Sequence, residues 1–204
     1  MKLYDYKMAP NPRRVRVFLA EKNITDLEVV NVDLGKAETR TPEFKKINPY
    51  LSVPVLELDS GEYISESMAI CRYFEETHPE NPLLGTDPES KARIEMWNRR
   101  VELALYLPIA YTFRHGNPFW AKVMKQSAEF AEISSEDVDK QLYMFNKHLD
   151  GKQYIAGDEF SVADITLLCA IDFAKVIQKR INPETHPNLA AWHERVSARA
   201  SAKA

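Results

Sequence analysis

"NPYLSVPVLELDSGEYISES", residues 48 to 67, sets a proline inside an apolar run that otherwise reads as a strand. Proline has no N–H for a sheet ladder, so a strand that tolerates Pro54 is expected at a sheet edge or where the chain turns toward another molecule. If the Val53-Pro54 bond is cis, the N–H and C=O of Val53 point away from the sheet and can pair with an extended, peptide-like ligand. Asp59-Ser60-Gly61 then breaks the run. Gly61 supplies the positive φ of a tight hairpin, so "VPVLEL" and "EYI" are predicted to pair antiparallel. Glu66-Ser67 follows at the start of a helix, where free N–H groups and the helix dipole favour a carboxylate. Taken singly, these features also read as an edge-strand proline and an ordinary cap. Together they describe capture of a short acidic peptide.

Outward from this stretch the sequence alternates between two periods. "KLYDY" and "LEVVNVDL" have strand character, and "PRRVRVFLAEK" between them places Val15, Phe18, Leu19 and Lys22 at helical spacing. Strand, helix and strand in about 32 residues make a right-handed parallel βαβ unit. "TPEFKKINP" predicts a short helix, and "ESMAICRYFEETH" an amphipathic one ended by His78-Pro79. The first half, residues 1–80, is therefore β-α-β-α-β-β-α. Residues 81–88 read as a linker, rich in proline and glycine. Residues 89–204 read as all helix. A long helix is expected to kink at Pro108, a second to be capped by Ser134 or Ser135 and stopped by Gly151, and a third to open on a Ser161/Asp164 capping box.

Composition narrows the function classes. The chain has 204 residues, 45% hydrophobic and 28% charged, with a formal charge of -3. That mild charge, without a long basic run, argues against nucleic acid and membrane surfaces and for small-molecule partners. Cys71 and Cys169 lie in apolar helical patterns with no metal-binding spacing, which reads as core and as no metal site. "MKLYDY" has no basic-then-apolar leader, and no run of about 18 apolar residues occurs, so a cytoplasmic protein is expected.

Four segments in order resemble the glutathione transferase family: "NPYLSVPVL", "ESMAICRYFEE", "GDEFSVADI" and "HPNLAAWHERV". The resemblance covers essentially the whole chain. It implies a thioredoxin-like first domain followed by an all-helical one. It also implies glutathione as cosubstrate, a small apolar electrophile as acceptor, and a role in detoxification. By the resemblance, Val53 pairs with the cysteinyl backbone of glutathione and Pro54 holds that geometry. Glu66 and Ser67 take the γ-glutamyl end, and Arg40 falls where relatives place a base for the glycine carboxylate. Ser52 stands where Lys or Gln is common, so one carboxylate contact is in doubt. The resemblance further implies a homodimer, with a seam along the helix carrying Trp97, Arg99, Arg100 and Glu102.

Glutathione reacts as its thiolate, so something must favour ionisation of a thiol near pKa 8.5. The family's usual Tyr, Ser or Cys is missing from "YKMAPNPRR". Asn11 can donate an amide hydrogen bond to sulfur or simply cap the helix, with Pro12 suited to the first helical position. Tyr6 is a further donor, although alternation places Tyr4 and Tyr6 on one strand face where burial competes. His115 can organise a water at the site, or cap a helix C-terminus as a cation. Tyr106, Tyr111, Phe113, Phe119 and Trp120 are candidates for an acceptor pocket expected between the domains, and equally for core. The alternatives to conjugation are glutathione-dependent peroxide reduction or dehalogenation, and a non-catalytic binding protein.

Overall fold

The computed structural model describes residues Met1 to Ala204. The chain forms two compact units, Met1–Leu83 with Ala200–Ala204, and Leu84–Arg199. The last five residues thus belong to the first unit and not to the helical domain expected from residue 89 onward.

In the first unit the elements run β1 (Lys2–Asp5), α1 (Pro10–Glu21), β2 (Glu28–Asn31), α2 (Pro42–Ile47), β3 (Val55–Glu57), β4 (Tyr63–Ser65) and α3 (Ser67–Thr77). This is the β-α-β-α-β-β-α order read from the sequence. The sheet order is β2-β1-β3-β4, with β1 parallel to β2 and the other pairs antiparallel. The register pairs Leu3 with Leu56, both fully buried on one face, and Tyr4 with Val55 on the other. On that second face Val55 clusters with Val32, Val53 and Phe44 of α2, and Tyr4 and Tyr6 pack against the cluster. Helices α1 and α3 pack on each other, with Val15, Phe18, Ile70 and Phe74 fully buried.

Gly61 turns the hairpin at φ +85, as its position requires, and its N–H bonds the Leu58 carbonyl at 2.9 Å. The expectation for Pro54 needs correction. β3 is an inner strand, flanked by β1 and β4. Pro54 is tolerated because it stands one residue outside the ladder, whose register ends at Val55. The Val53-Pro54 bond is cis.

The unit is tied internally by a buried cation. Lys22 Nζ lies 2.7 Å from Glu75 Oε2 and donates to the carbonyls of His78, Glu80 and Asn81 at 2.7, 3.0 and 3.3 Å. Glu75 Oε1 accepts the Leu83 N–H at 2.8 Å. An ion pair taken out of water holds only when its remaining donors and acceptors are met, and this one meets them with main chain.

The second unit comprises α4 (Pro88–Arg100), α5 (Leu107–Gly116), α6 (Ala128–His148), α7 (Val162–Ala174) and α8 (Pro187–Ser197), with short 3-10 turns between. No helix is long and apolar enough to cross a membrane. Pro108 does interrupt the long helix, through a widened segment rather than a simple bend. Residues Val101–Tyr106 form a π-helical stretch in which the Leu107 N–H reaches the Glu102 carbonyl. With no N–H of its own, and a ring that crowds the carbonyl four residues back, Pro108 is accommodated by the wider turn before it. Helix α6 begins earlier than expected. Ser127 is its cap, accepting from the Phe130 N–H at 3.2 Å, and Ser134 is buried inside the helix. Gly85 sits at φ +90, where a Cβ would lie 2.6 Å from the Lys91 nitrogen, so the entry to α4 admits only glycine.

Asp164 anchors this unit. Its Oδ1 accepts the Ile155 N–H and the Trp192 indole N–H, both at 2.9 Å, and its Oδ2 accepts the Ser161 N–H and hydroxyl at 3.0 and 3.1 Å. Burial nevertheless pushes its carboxyl up to about 6, against the pull of these four bonds. The expected Ser161/Asp164 capping box is present, and it also ties α7 to α8.

Candidate functional site

One end of the sheet gathers the residues singled out for peptide capture. Because β1, β2 and β4 run in one direction and β3 in the other, four chain segments meet that end. They are the start of α1 after β1, the segment carrying Arg40 after β2, Val53-Pro54 before β3, and Glu66-Ser67 after β4. In sheets of this kind ligands bind outside the carboxyl ends of the parallel strands.

Local bonding fixes each segment. Buried Asn48 donates through Nδ2 to the Ser52 carbonyl and hydroxyl at 2.8 and 3.2 Å and accepts the Tyr50 N–H at 3.0 Å. It thereby presets the approach to Val53. Ser52, through its carbonyl and hydroxyl, serves this loop. The Val53 side chain is buried in the cluster with Phe44, and its backbone groups lie outside the ladder.

At the start of α3, Glu66 adopts φ +74, a conformation that costs a non-glycine residue energy and that clusters at ligand sites. Its carboxylate is exposed and makes no hydrogen bond or ion pair. Ser67 is only 6% exposed, yet its hydroxyl has no partner within the chain. The Glu66 carbonyl already accepts the Ile70 N–H at 3.0 Å, which leaves the first-turn donors of α3 open. Arg40 ends a 3-10 turn, exposed, with a guanidinium engaged by no carboxylate.

The start of α1 differs from expectation. Ala9 is the N-cap without a side-chain bond, and Pro10, not Pro12, takes the first helical position. Asn11 therefore does not cap the helix. It lies in the first turn, exposed, with its amide unpaired. Pro10 and Pro12 lack N–H groups and the Arg13 N–H bonds the Ala9 carbonyl at 3.3 Å, so Asn11 carries the single free main-chain donor at this helix end. The loop before it is braced by Arg16, which reaches Asp5 at 2.6 Å and the Lys7 carbonyl at 2.9 Å.

Tyr4 does not serve the sulfur: its hydroxyl donates to Glu57 Oε2 at 2.6 Å, and burial together with that bond raises its pKa. Tyr6 packs on the Val53 cluster.

His115 lies in the helical unit near the end of α5, and its expected role as a cationic cap is overturned. Its Nδ1 accepts the Ser127 N–H at 3.1 Å, which requires an unprotonated Nδ1 and leaves the neutral ring's proton on Nε2. Of the aromatic candidates in the same unit, Tyr106, Phe113 and Trp120 are linked. Phe173 lies 6.0 Å from Tyr106 and 5.7 Å from Phe113, and Phe113 lies 5.9 Å from Trp120. Phe173, which the sequence reading missed, is the hinge of this run; its place at the end of the apolar α7 pattern was the available signal. Tyr111 stands apart, against Phe130 at 5.3 Å, and Phe119 is 62% exposed. An open groove on α8 includes Pro187, Ala190 and His193 and none of the candidate site residues. No group of three His, Cys, Asp or Glu side chains is placed to hold a metal ion.

Comparison with known proteins identifies the family. Residues 3–82 match the family described as glutathione S-transferase, N-terminal domain, and residues 103–200 match its C-terminal domain. Glutathione S-transferase 2 of Saccharomyces cerevisiae is 36% identical, covering 100% of this chain and 88% of its own length. Glutathione S-transferase F10 of Arabidopsis thaliana is 35% identical over 94% of this chain and 89% of its own. The crystal structure of Gtt2 from Saccharomyces cerevisiae superposes with a TM-score of 0.93, at 36% identity over 100% of this chain and 99% of that one. That of a Gtt2-class transferase of Vibrio parahaemolyticus does so at 0.85, with 36% identity and coverage of 98% and 94%. The unpaired Ser67 hydroxyl, the free Arg40 and the Val53 backbone thus stand in a thioredoxin-like domain followed by a helical one, and the chain belongs to the glutathione S-transferase family.

Proposed function

We propose that this chain conjugates the thiolate of glutathione to a small apolar electrophile. The observation that carries the reading is the convergence of unpaired groups at one sheet end: the Val53 backbone, the start of α3 with Ser67 and Glu66, Arg40, and Asn11. Their charges match the tripeptide. The Ser67 hydroxyl and first-turn N–H groups receive the γ-glutamyl carboxylate, Glu66 its ammonium, and Arg40 the glycine carboxylate. The cysteinyl backbone pairs with Val53 like an added strand residue, with Pro54 holding Val53 in place.

Bound in this way, the sulfur meets the start of α1. Asn11 offers an N–H and a side-chain amide to the thiolate, which lowers the thiol pKa, and the released proton passes to solvent. The thiolate then attacks the electrophilic carbon. A C–S bond forms as the bond to the leaving group breaks, or as a strained ring opens, and the departing atom keeps the electron pair. Phe113 and Trp120 are the aromatic candidates for contact with the acceptor; Tyr106, 7% exposed, belongs to the core of its unit, and Tyr111 packs against Phe130. A second assignment gives thiol activation to His115 through a water, favoured by its free Nε2–H. The protein is expected to work in the cytoplasm as a homodimer. The first experiment is retention on immobilised glutathione together with turnover of a generic aryl halide. Retention with turnover supports conjugation; retention without turnover of any of several electrophiles contradicts it.

A further inference from the structure

A segment far from the site in sequence clasps the helix that activates the thiol. Residues Ala200–Lys203 form a 3-10 turn that packs along α1. Arg13, in the first turn of α1, donates to the Ala202 carbonyl at 3.0 Å, and the Ser201 hydroxyl donates to the carboxylate of Glu21, the last residue of α1. Ser201 and Ala202 are 7% and 8% exposed. Arg13 and Glu21 are eight residues apart, about 12 Å along the helix axis, and the two bonds therefore grip α1 near both ends.

The first turn of α1 has few main-chain donors and no side-chain cap of its own. Ala9 makes no side-chain cap, two prolines remove main-chain donors, and Asn11 alone presents one. The C-terminal end of α1 is already fixed by the buried Lys22. A small tilt of the first turn would move the Asn11 donors off the sulfur, because a hydrogen bond weakens steeply as its angle closes.

We propose that residues 200–203 are a positioning element for the thiol site, and that they act through Arg13 to hold the first turn of α1 in the orientation that aims Asn11 at the sulfur. The inference rests on the glutathione reading, and its test separates the two. In the full chain, Arg13→Ala, Arg13→Lys and Ser201→Ala are compared by hydrogen exchange of residues 11–16 without glutathione, and by the pH dependence of thiolate absorbance with glutathione bound.

Arg13→Ala is expected to speed exchange of the first turn about tenfold and to raise the bound thiol pKa by about half a unit. Arg13→Lys, which keeps one donor to the carbonyl, should lie between it and the parent, and Ser201→Ala should act in the same direction less strongly. First-turn exchange that Arg13→Ala and Ser201→Ala leave unchanged overturns the clasp. Faster exchange with an unmoved thiol pKa overturns the positioning role. A parent chain that binds no glutathione while exchange responds as expected sinks the functional reading and leaves the clasp standing.

Discussion

Val55 pairs with Ser65 across the β3–β4 ladder, and both chains leave the sheet at that end: Val53 lies two residues before the pair, and Ser67 two residues after it. The register thus sets a backbone free of the ladder beside a helix start. On the proposed reading these two preformed groups receive an extended ligand that carries a carboxylate, so little binding energy goes to ordering the protein.

Ser67 is the sharpest test of the carboxylate end. Its hydroxyl is unpaired in a residue only 6% exposed, so its removal deletes no internal bond and, on the proposed reading, one ligand contact. Ser67→Ala is expected to weaken glutathione binding about tenfold, the usual worth of a hydrogen bond to a charged group, with little change in thermal stability. Calorimetric titration checks this, and an unaltered affinity would remove Ser67 from the site.

Asn11 and His115 can be separated by their pH profiles. Asn11→Ala should raise the kinetic pKa of the bound thiol by about one unit, and Asn11→Asp by more, since a carboxylate repels the thiolate. His115→Ala should leave that pKa in place while loosening the start of α6 through loss of its bond to Ser127. The reverse pattern, with only the His115 variant shifting the pKa, would move the chemistry to a water held by the helical unit.

Lys22 reports on the scaffold beneath the site. Its side chain is 0% exposed, and Lys22→Met leaves the Glu75 carboxylate buried without its cation. Denaturant unfolding should register a loss of about 3–5 kcal/mol. The double variant Lys22→Met/Glu75→Met should regain part of it. A single variant within about 1 kcal/mol of the parent would contradict the tie.

Asp164 gives a pH dependence of definite sign. Its pKa is about 6 in the folded chain against 3.8 for the ordinary group, so between these values the folded state binds the proton more tightly. The stabilising contribution is fully present below the lower value and is lost as pH rises through the upper one. Relative to Asp164→Asn, which cannot titrate, the parent should lose about 3 kcal/mol of stability between roughly pH 4 and pH 7. A parent-to-variant difference that does not vary with pH would contradict it.

Much of the fold was legible because its determinants are local. The strand and helix periods, Gly61 and the Ser161/Asp164 box each act within a few residues, and the structure contains all of them. What escaped is set by distant partners. Ser134 in "SSED" has the chemistry of a cap, but helix-competent residues continue upstream to Ser127 and Ser134 faces inward. Pro54 looked like an edge residue because strand order is not written in one strand. His115 looked cationic because the Ser127 N–H that occupies its Nδ1 comes from another element. Phe173 joins Tyr106 to Phe113 only once α5 and α7 pack together.

The central claim is that the Val53 backbone and the start of α3 hold glutathione at one end of the sheet. The crystal structure of the glutathione complex tests it most directly. The account predicts the cysteinyl N–H and C=O paired with Val53, the γ-glutamyl carboxylate on Ser67, and the sulfur closest to Asn11. Glutathione bound elsewhere, or at this sheet end without contact to Val53, would contradict it.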